Sequence, residues 1–193
     1  MAMYHEGNRA LQDAFGSRAL ADRLVERLNR ATFTEADAAF IGTLPFFFLA
    51  TADAAGRPDC SFKGGAPGFA RVVAPDLLVW ADYDGNGMFK SLGNIRVNPA
   101  VGLLFIAMDQ PKRLRVNGIA EVVEDDPLLA EFPGAQLLVR VRPANIFPNC
   151  PRYIPRMRVE EASVYIPQAD APPTEPAWKG FDAFRDVVPK RRV

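Results

Sequence analysis

Between Pro45 and Ile146 the sequence falls into short apolar runs divided by turn-forming residues, and this cadence limits the fold more than any other feature. Residues 46–51, 58–63, 69–73, 77–81, 101–107, 113–123 and 136–146 read as strands. The connections Asp53-Ala-Ala-Gly56, Ala74-Pro-Asp76 and Asp109-Gln-Pro111 are too short for crossover helices, so neighbouring strands must run antiparallel. Such a sheet must close on itself or be covered. The expectation is a mainly β (α+β) fold: a small antiparallel barrel of six to seven strands with helices packed outside. A chain of 193 residues, 49% hydrophobic, is long enough to fill it.

The flanks read differently. Residues 7–30 have helical spacing, with Leu11, Phe15, Leu20, Leu24 and Leu28 on one face. Gly16-Ser17 divides this stretch, with Ser17 as the expected cap of the second piece. Thr34 followed by Asp37 reads as a capping box. After Phe147 the chain turns Pro-rich, yet it carries Tyr153, Tyr165, Trp178, Phe181 and Phe184, too aromatic for a free linker. The expected division is a helical extension over 1–44, a barrel over 45–158 and a tail over 159–193 that wraps the barrel or a second subunit.

One connection is unlike the others. Residues 82–99 open with a Gly- and Asn-rich turn and continue with helical spacing, Met88, Leu92 and Ile95 sharing a face before Pro99. A helix that opens after such a turn offers free N–H groups and a positive dipole end. Lys90 and Ser91 add an ammonium and a hydroxyl, which makes a candidate phosphate seat. The other reading is an ordinary capped helix between strands. In Cys60-Ser-Phe-Lys-Gly-Gly65, Ser61 and Lys63 alternate and share a strand face that runs into Gly64, a second half-site for an anion. Arg113, Arg115 and Asn117 share a face of a later strand, where two guanidiniums suit a phosphate, a carboxylate or the carbonyl edge of a planar ring. Against this stand an exposed charged face and, at Asn117-Gly118, a bulge. Trp80 can stack on a ring, although core packing is the commoner fate of a strand Trp.

Composition excludes several classes. Lys+Arg and Asp+Glu are both 23, a balance that argues against a nucleic-acid or anionic-membrane surface. No run is long enough for a membrane span, no signal peptide is visible, and Cys60 and Cys150 form no Cys-x-x-Cys pair, so a cytoplasmic protein with free thiols is expected. A single histidine, His5, rules against a histidine-built metal site or a His-based triad, and no metal is expected.

The stretches 48–65, Gly68-Phe-Ala-Arg-Val, Asp84-Gly-Asn, 91–105 and Leu114-Arg-Val-Asn-Gly-Ile-Ala, in that order and spacing, resemble the pyridoxamine 5'-phosphate oxidase-like, FMN-binding split-barrel family over roughly residues 40–158. The resemblance implies a split barrel, FMN as cofactor, and a homodimer with the flavin at the subunit interface. It implies that Ser61 and Lys63 contact the flavin phosphate or ribityl chain, that Lys90 and Ser91 complete the phosphate site, and that Arg113 or Arg115 lies near the ring. Gly64, Trp80, Ala81, Asp82, Asn86 and Asn94 complete the implied cofactor-binding set. This chain has Cys60-Ser-Phe-Lys, Lys90-Ser91 and Trp178-Lys-Gly-Phe where oxidases of vitamin B6 carry Arg-x-x-x-x-Lys, Arg-Lys and a Trp-Arg-x-His-Arg-type segment. The expected function is therefore an FMN-dependent oxidoreductase of the related type, acting on an unassigned small molecule or electron donor, with no catalytic side chain assigned. The alternatives are a deazaflavin (F420)-dependent reductase of the same fold and a non-catalytic flavin- or haem-binding protein.

Overall fold

The computed structural model describes residues 2–189. Two short helices, α1 (Glu6–Ala14) and α2 (Arg18–Leu28), are followed by α3 (Glu35–Gly42). The sheet then forms from β1 (Phe46–Ala52), β2 (Pro58–Gly64), β3 (Ala70–Ala74) and β4 (Leu77–Tyr83). After α4 (Lys90–Val97) it is completed by β5 (Ala100–Ala107), β6 (Lys112–Val123) and β7 (Ala135–Asn149). Every pairing is antiparallel, and the order is β2-β1-β5-β6-β7-β4-β3.

The order is that of an open sheet, but the packing is that of a barrel. Phe47 of β1 and Trp80 of β4 stand far apart along the sheet, yet their rings meet edge to face with centroids 5.3 Å apart. Phe47 also lies 5.1 Å from Phe105 and stacks on Phe69 at 5.8 Å. The sheet therefore curls until its two halves face each other around these rings, while β2 and β3 remain separate edges. This is the small antiparallel barrel expected from the strand cadence, in the split form that the family resemblance implies. Trp80, Phe47 and Phe105 are almost wholly buried, and each contributes about 150–250 Å² of apolar area. The Trp80 Nε1 proton has no acceptor, a cost that the packing of the ring offsets.

Local signals place most elements. Thr34 accepts from the Asp37 N–H while the Asp37 carboxylate accepts from the Thr34 N–H, so α3 starts at the expected capping box. Asn117/Gly118 is a bulge, as one of its two readings held: a Cβ on Gly118 would stand 2.4 Å from the Arg142 carbonyl, so the strands approach too closely for a side chain.

Three expectations are corrected. Ser17 makes no capping hydrogen bond to α2; its hydroxyl reaches back toward the Gln12 carbonyl. Met88 lies outside α4 and is exposed, because the helix starts two residues later than the apolar spacing suggests. The apolar stripe of α1 and α2 does not pack on the barrel: neither helix has a buried residue, and Phe15 is 82% exposed.

The tail follows its own barrel. The Met157 N–H donates to the Met108 carbonyl at 3.1 Å, and Pro167 sits where a Cβ on Gly134 would stand 2.4 Å from it. The tail then ends in a single 3-10 turn (Ala177–Gly180) and a few further described residues. Residues 190–193 of the expected tail lie outside the described residues. Tyr153, Tyr165, Phe181 and Phe184 remain at least 46% exposed, so the tail leaves most of its aromatic surface uncovered.

One buried charge pair ties β7 to the loop before it. Asp126 accepts two hydrogen bonds from the Arg140 guanidinium, at 2.5 and 2.9 Å, and one from the Leu128 N–H at 2.9 Å. These bonds, the Arg140 contact first, hold its carboxyl below the usual carboxylate range. A depressed native value adds stability that is complete above the unfolded pKa of about 3.9 and is lost as pH falls through the native value. Asp126→Ala should cost about 1.5–3 kcal/mol at neutral pH, with the deficit shrinking in acid. Urea unfolding of both proteins at neutral and acidic pH measures this; a deficit independent of pH would contradict the assignment.

Candidate functional site

Strand alternation on β2 is where the site begins. Asp59, Ser61 and Lys63 point to one side of the sheet and line a cavity of about 770 Å³, whereas Cys60 lines a hollow on the opposite side. The second wall of the cavity is the 84–89 turn and the start of α4, with Lys90 and Ser91. Gly87 (φ 74) and Phe89 (φ 47) are both left-handed there. In a bulky residue such as Phe89, that conformation costs of order 1–3 kcal/mol and has to be imposed by its surroundings. It turns the chain into a helix whose first N–H groups have no side-chain cap. α4 is fixed from behind by Leu92 and Ile95 in the core and by Asn94, whose amide donates to Thr51 Oγ1 at 3.0 Å.

The two half-sites meet. The Ser61 and Ser91 hydroxyls are 3.0 Å apart, and Ser91 donates to Asp59 Oδ2 at 3.3 Å. Lys63 Nζ lies 3.9 Å from Asp82 Oδ1, whose other oxygen accepts from Gln136 at 3.0 Å. Arg96 pairs with Glu124 at 2.5 Å at the rim. Lys90 has no carboxylate partner among the described residues. The cavity thus mixes charges of both signs, with Lys90 as its uncommitted ammonium.

Ser61, Lys63, Asp82, Asn86, Lys90 and Ser91 all line this cavity. The other members of the expected set do not. Trp80 and Ala81 are core residues, since their strand is covered on both faces. Asn94 is turned inward to Thr51. Gly64 lies beyond the cavity, against the Phe62 ring. Arg113 and Arg115 stand with Phe48, Leu104 and Asn117 around the 410 Å³ hollow on the other face. That face also presents Phe62, 62% exposed and stacked on Phe46 at 5.3 Å. The Arg113 Nε is buried there without a partner.

The expected site set lacks Asp59, Asp84, Gln136 and Lys179, all of which line the cavity, and Trp178 of the aromatic tail joins them there. Asp59 was legible, since it alternates with Ser61 and Lys63. The tail residues carried no local signal.

The sequence model of the pyridoxamine 5'-phosphate oxidase family matches residues 33–163. The chain belongs to that family. Its α1 and α2, and the tail turn that reaches the cavity, lie outside the matched span. Solved structures similar to this family member include a candidate pyridoxamine 5'-phosphate oxidase from Lactobacillus delbrueckii, at 24% identity and TM-score 0.49, covering 61% of this chain and 95% of that one. An FMN-binding protein from Syntrophomonas wolfei has 12% identity and TM-score 0.47, covering 72% and 97%. The heme storage protein HutZ from Vibrio cholerae has 21% identity and TM-score 0.41, covering 57% and 90%. Overlaps this low are likenesses of outline and carry no chemistry to this chain. None of the curated proteins matches it. No helix among the described residues is long and apolar enough to cross a membrane, and no group of metal-binding side chains occurs among them.

Asp82 gives a test of the cavity's charge. Burial pushes its carboxyl above the usual range, against the opposing effects of the Gln136 hydrogen bond and Lys63. The folded chain therefore holds that proton more tightly than the unfolded one, and stability falls as pH rises from about 4 through the native value. Asp82→Asn keeps an acceptor for Gln136 and removes this dependence. The variant should gain stability over wild type as pH rises toward neutrality. Equal urea midpoints across that range would show the carboxylate to be well solvated.

Proposed function

We propose that this protein is an FMN-binding oxidoreductase of the pyridoxamine 5'-phosphate oxidase-related type. The observation that carries the reading is the convergence of Ser61 and Ser91 beside Lys90 and the uncapped start of α4 in one cavity. Hydroxyl donors, an uncommitted ammonium and helix N–H groups suit a phosphate monoester. A volume of about 770 Å³ is within the range of cofactor pockets. No Gly-x-Gly-x-x-Gly turn exists for the second phosphate of a dinucleotide. No histidine lines the cavity, which weighs against a histidine-ligated haem.

In this reading Lys90 and the α4 start bind the phosphate, the two serines fix its orientation, and Lys63 balances its charge against Asp82. When bound, the flavin supplies hydride or electron transfer, and the protein supplies position and charge. The faces of the sheet bear on assembly. Lys63 and Arg115 stand on opposite faces, so one ligand meets both only where a second copy brings its outer face to the cavity. The outer face, with Phe46, Phe48, Phe62 and Leu104, has the apolar character of a homodimer interface. The reading is thus a homodimer with the flavin between subunits and a small-molecule substrate or electron donor.

Mass spectrometry of cofactor released from the purified protein should find FMN; FAD, a deazaflavin, haem or no cofactor would overturn the proposal. Lys90→Ala should weaken FMN binding roughly 10- to 100-fold and leave riboflavin nearly unaffected. Titration of apoprotein with both ligands separates the cases, since equal losses would mean that Lys90 does not hold the phosphate. Sedimentation should give a dimer, and a monomer that retains full FMN affinity would sink the interfacial site.

A further inference from the structure

The tail turn Ala177–Gly180 brings two residues to the cavity wall, Trp178 and Lys179. Lys179 is only 12% exposed. Its ammonium donates to the Asp84 carboxylate and lies 3.4 Å from Glu175 Oε2. Trp178 packs edge to face on Phe184, with centroids 6.0 Å apart. Asp84 opens the turn that leads into α4, so this ion pair joins the tail to the loop that shapes the candidate phosphate seat.

We propose that this tail turn is a latched gate, with Lys179 exchanged between the Asp84 carboxylate in the empty cavity and the anionic group of the ligand in the filled one. The inference rests on the reading of the cavity as the seat of a phosphate-bearing cofactor. Among the described residues, a phosphate dianion entering the cavity finds one ammonium without a carboxylate partner, Lys90, and a second cation would complete its neutralisation. Lys63 is fixed in β2 and faces Asp82, which is largely buried and loses most if its cation moves. Arg96 is fixed on α4 and held by Glu124. Among the described cations of the cavity wall, Lys179 is the one carried by the tail rather than by the sheet or α4, so a movement of the tail changes its partner without disturbing either. Among its described residues the tail beyond β7 forms no strand, and the Met157–Met108 hydrogen bond joins its backbone to the turn after β5. The Asp84 side chain is 31% exposed, so water screens its charge. Segments held by few backbone bonds open at low free-energy cost. The latch therefore closes the cavity when it is empty, and the ligand's charge replaces Asp84 as the partner that keeps it closed.

The test compares full-length wild type with Lys179→Met and Lys179→Arg. Hydrogen exchange of the ligand-free proteins reads the latch. Lys179→Met should exchange faster than wild type over 174–189, and Lys179→Arg should restore protection. Stopped-flow binding of FMN and riboflavin reads the exchange of partners. Lys179→Met should release FMN about tenfold faster and change riboflavin release by less than about twofold, and Lys179→Arg should recover FMN retention. Unchanged hydrogen exchange in Lys179→Met overturns the latch. Equal losses for FMN and riboflavin overturn the partner exchange, since the lysine then acts by packing alone. A wild type that binds neither flavin overturns the cofactor reading and the partner exchange together, while hydrogen exchange still decides the latch.

Discussion

Everything that this chain presents to a ligand depends on the sheet curling around Phe47, Trp80 and Phe105. Without the cross-barrel contact, β1 and β4 belong to distant parts of one sheet. With it, the two halves of the sheet face each other, and α4 packs on β1, β2 and β6 with Leu92 and Ile95 in the core. The cavity is the gap that this closure leaves unsealed. A fully closed barrel would have spent the inward-facing side chains of β2 on core packing. The split leaves Ser61 and Lys63 at an edge where water and ligands can reach them.

Charge in the cavity is nearly cancelled, and that has a physical consequence. Asp59, Asp82 and Asp84 stand among the cations, so the site is not a general trap for anions. An incoming anion would meet Lys90 without a carboxylate partner among the described residues, and any further cation would have to leave a carboxylate. Binding there would rest on geometry and on which cation changes partner, rather than on net positive potential. A chain with equal numbers of acidic and basic residues has little long-range field to offer in any case.

The outer face of the sheet is chemically distinct from the inner one. Stacked phenylalanines adjoin two guanidiniums that have no carboxylate partner among the described residues, and the Arg113 Nε is buried without an acceptor. Unsatisfied buried donors beside exposed aromatic rings are expensive in an isolated chain. α1 and α2, which lie outside the family match, add a further apolar stripe that their own barrel does not cover.

Strand order in sequence, turn positions, the capping box at Thr34 and the pairing of Ser61 with Lys63 on one strand face were legible from local pattern. Period-2 alternation and turn chemistry act over a few residues, and so they can be read without a fold. The same alternation contained Asp59, which was overlooked, and the spacing of Met88 with Leu92 and Ile95 misplaced the helix start because the left-handed Phe89 is imposed by its surroundings. What the sequence by itself determined was a set of antiparallel strands with a polar, anion-suited face on β2 and at the start of α4. Tertiary structure decided which side each of these faces took. It put Trp80 and Ala81 in the core, set Arg113 and Arg115 on the opposite face from Lys63, matched Lys63 with Asp82, and carried Lys179 along the tail to Asp84. These are contacts between residues as many as 95 positions apart. Their energies depend on burial and distance, which only the closed sheet supplies.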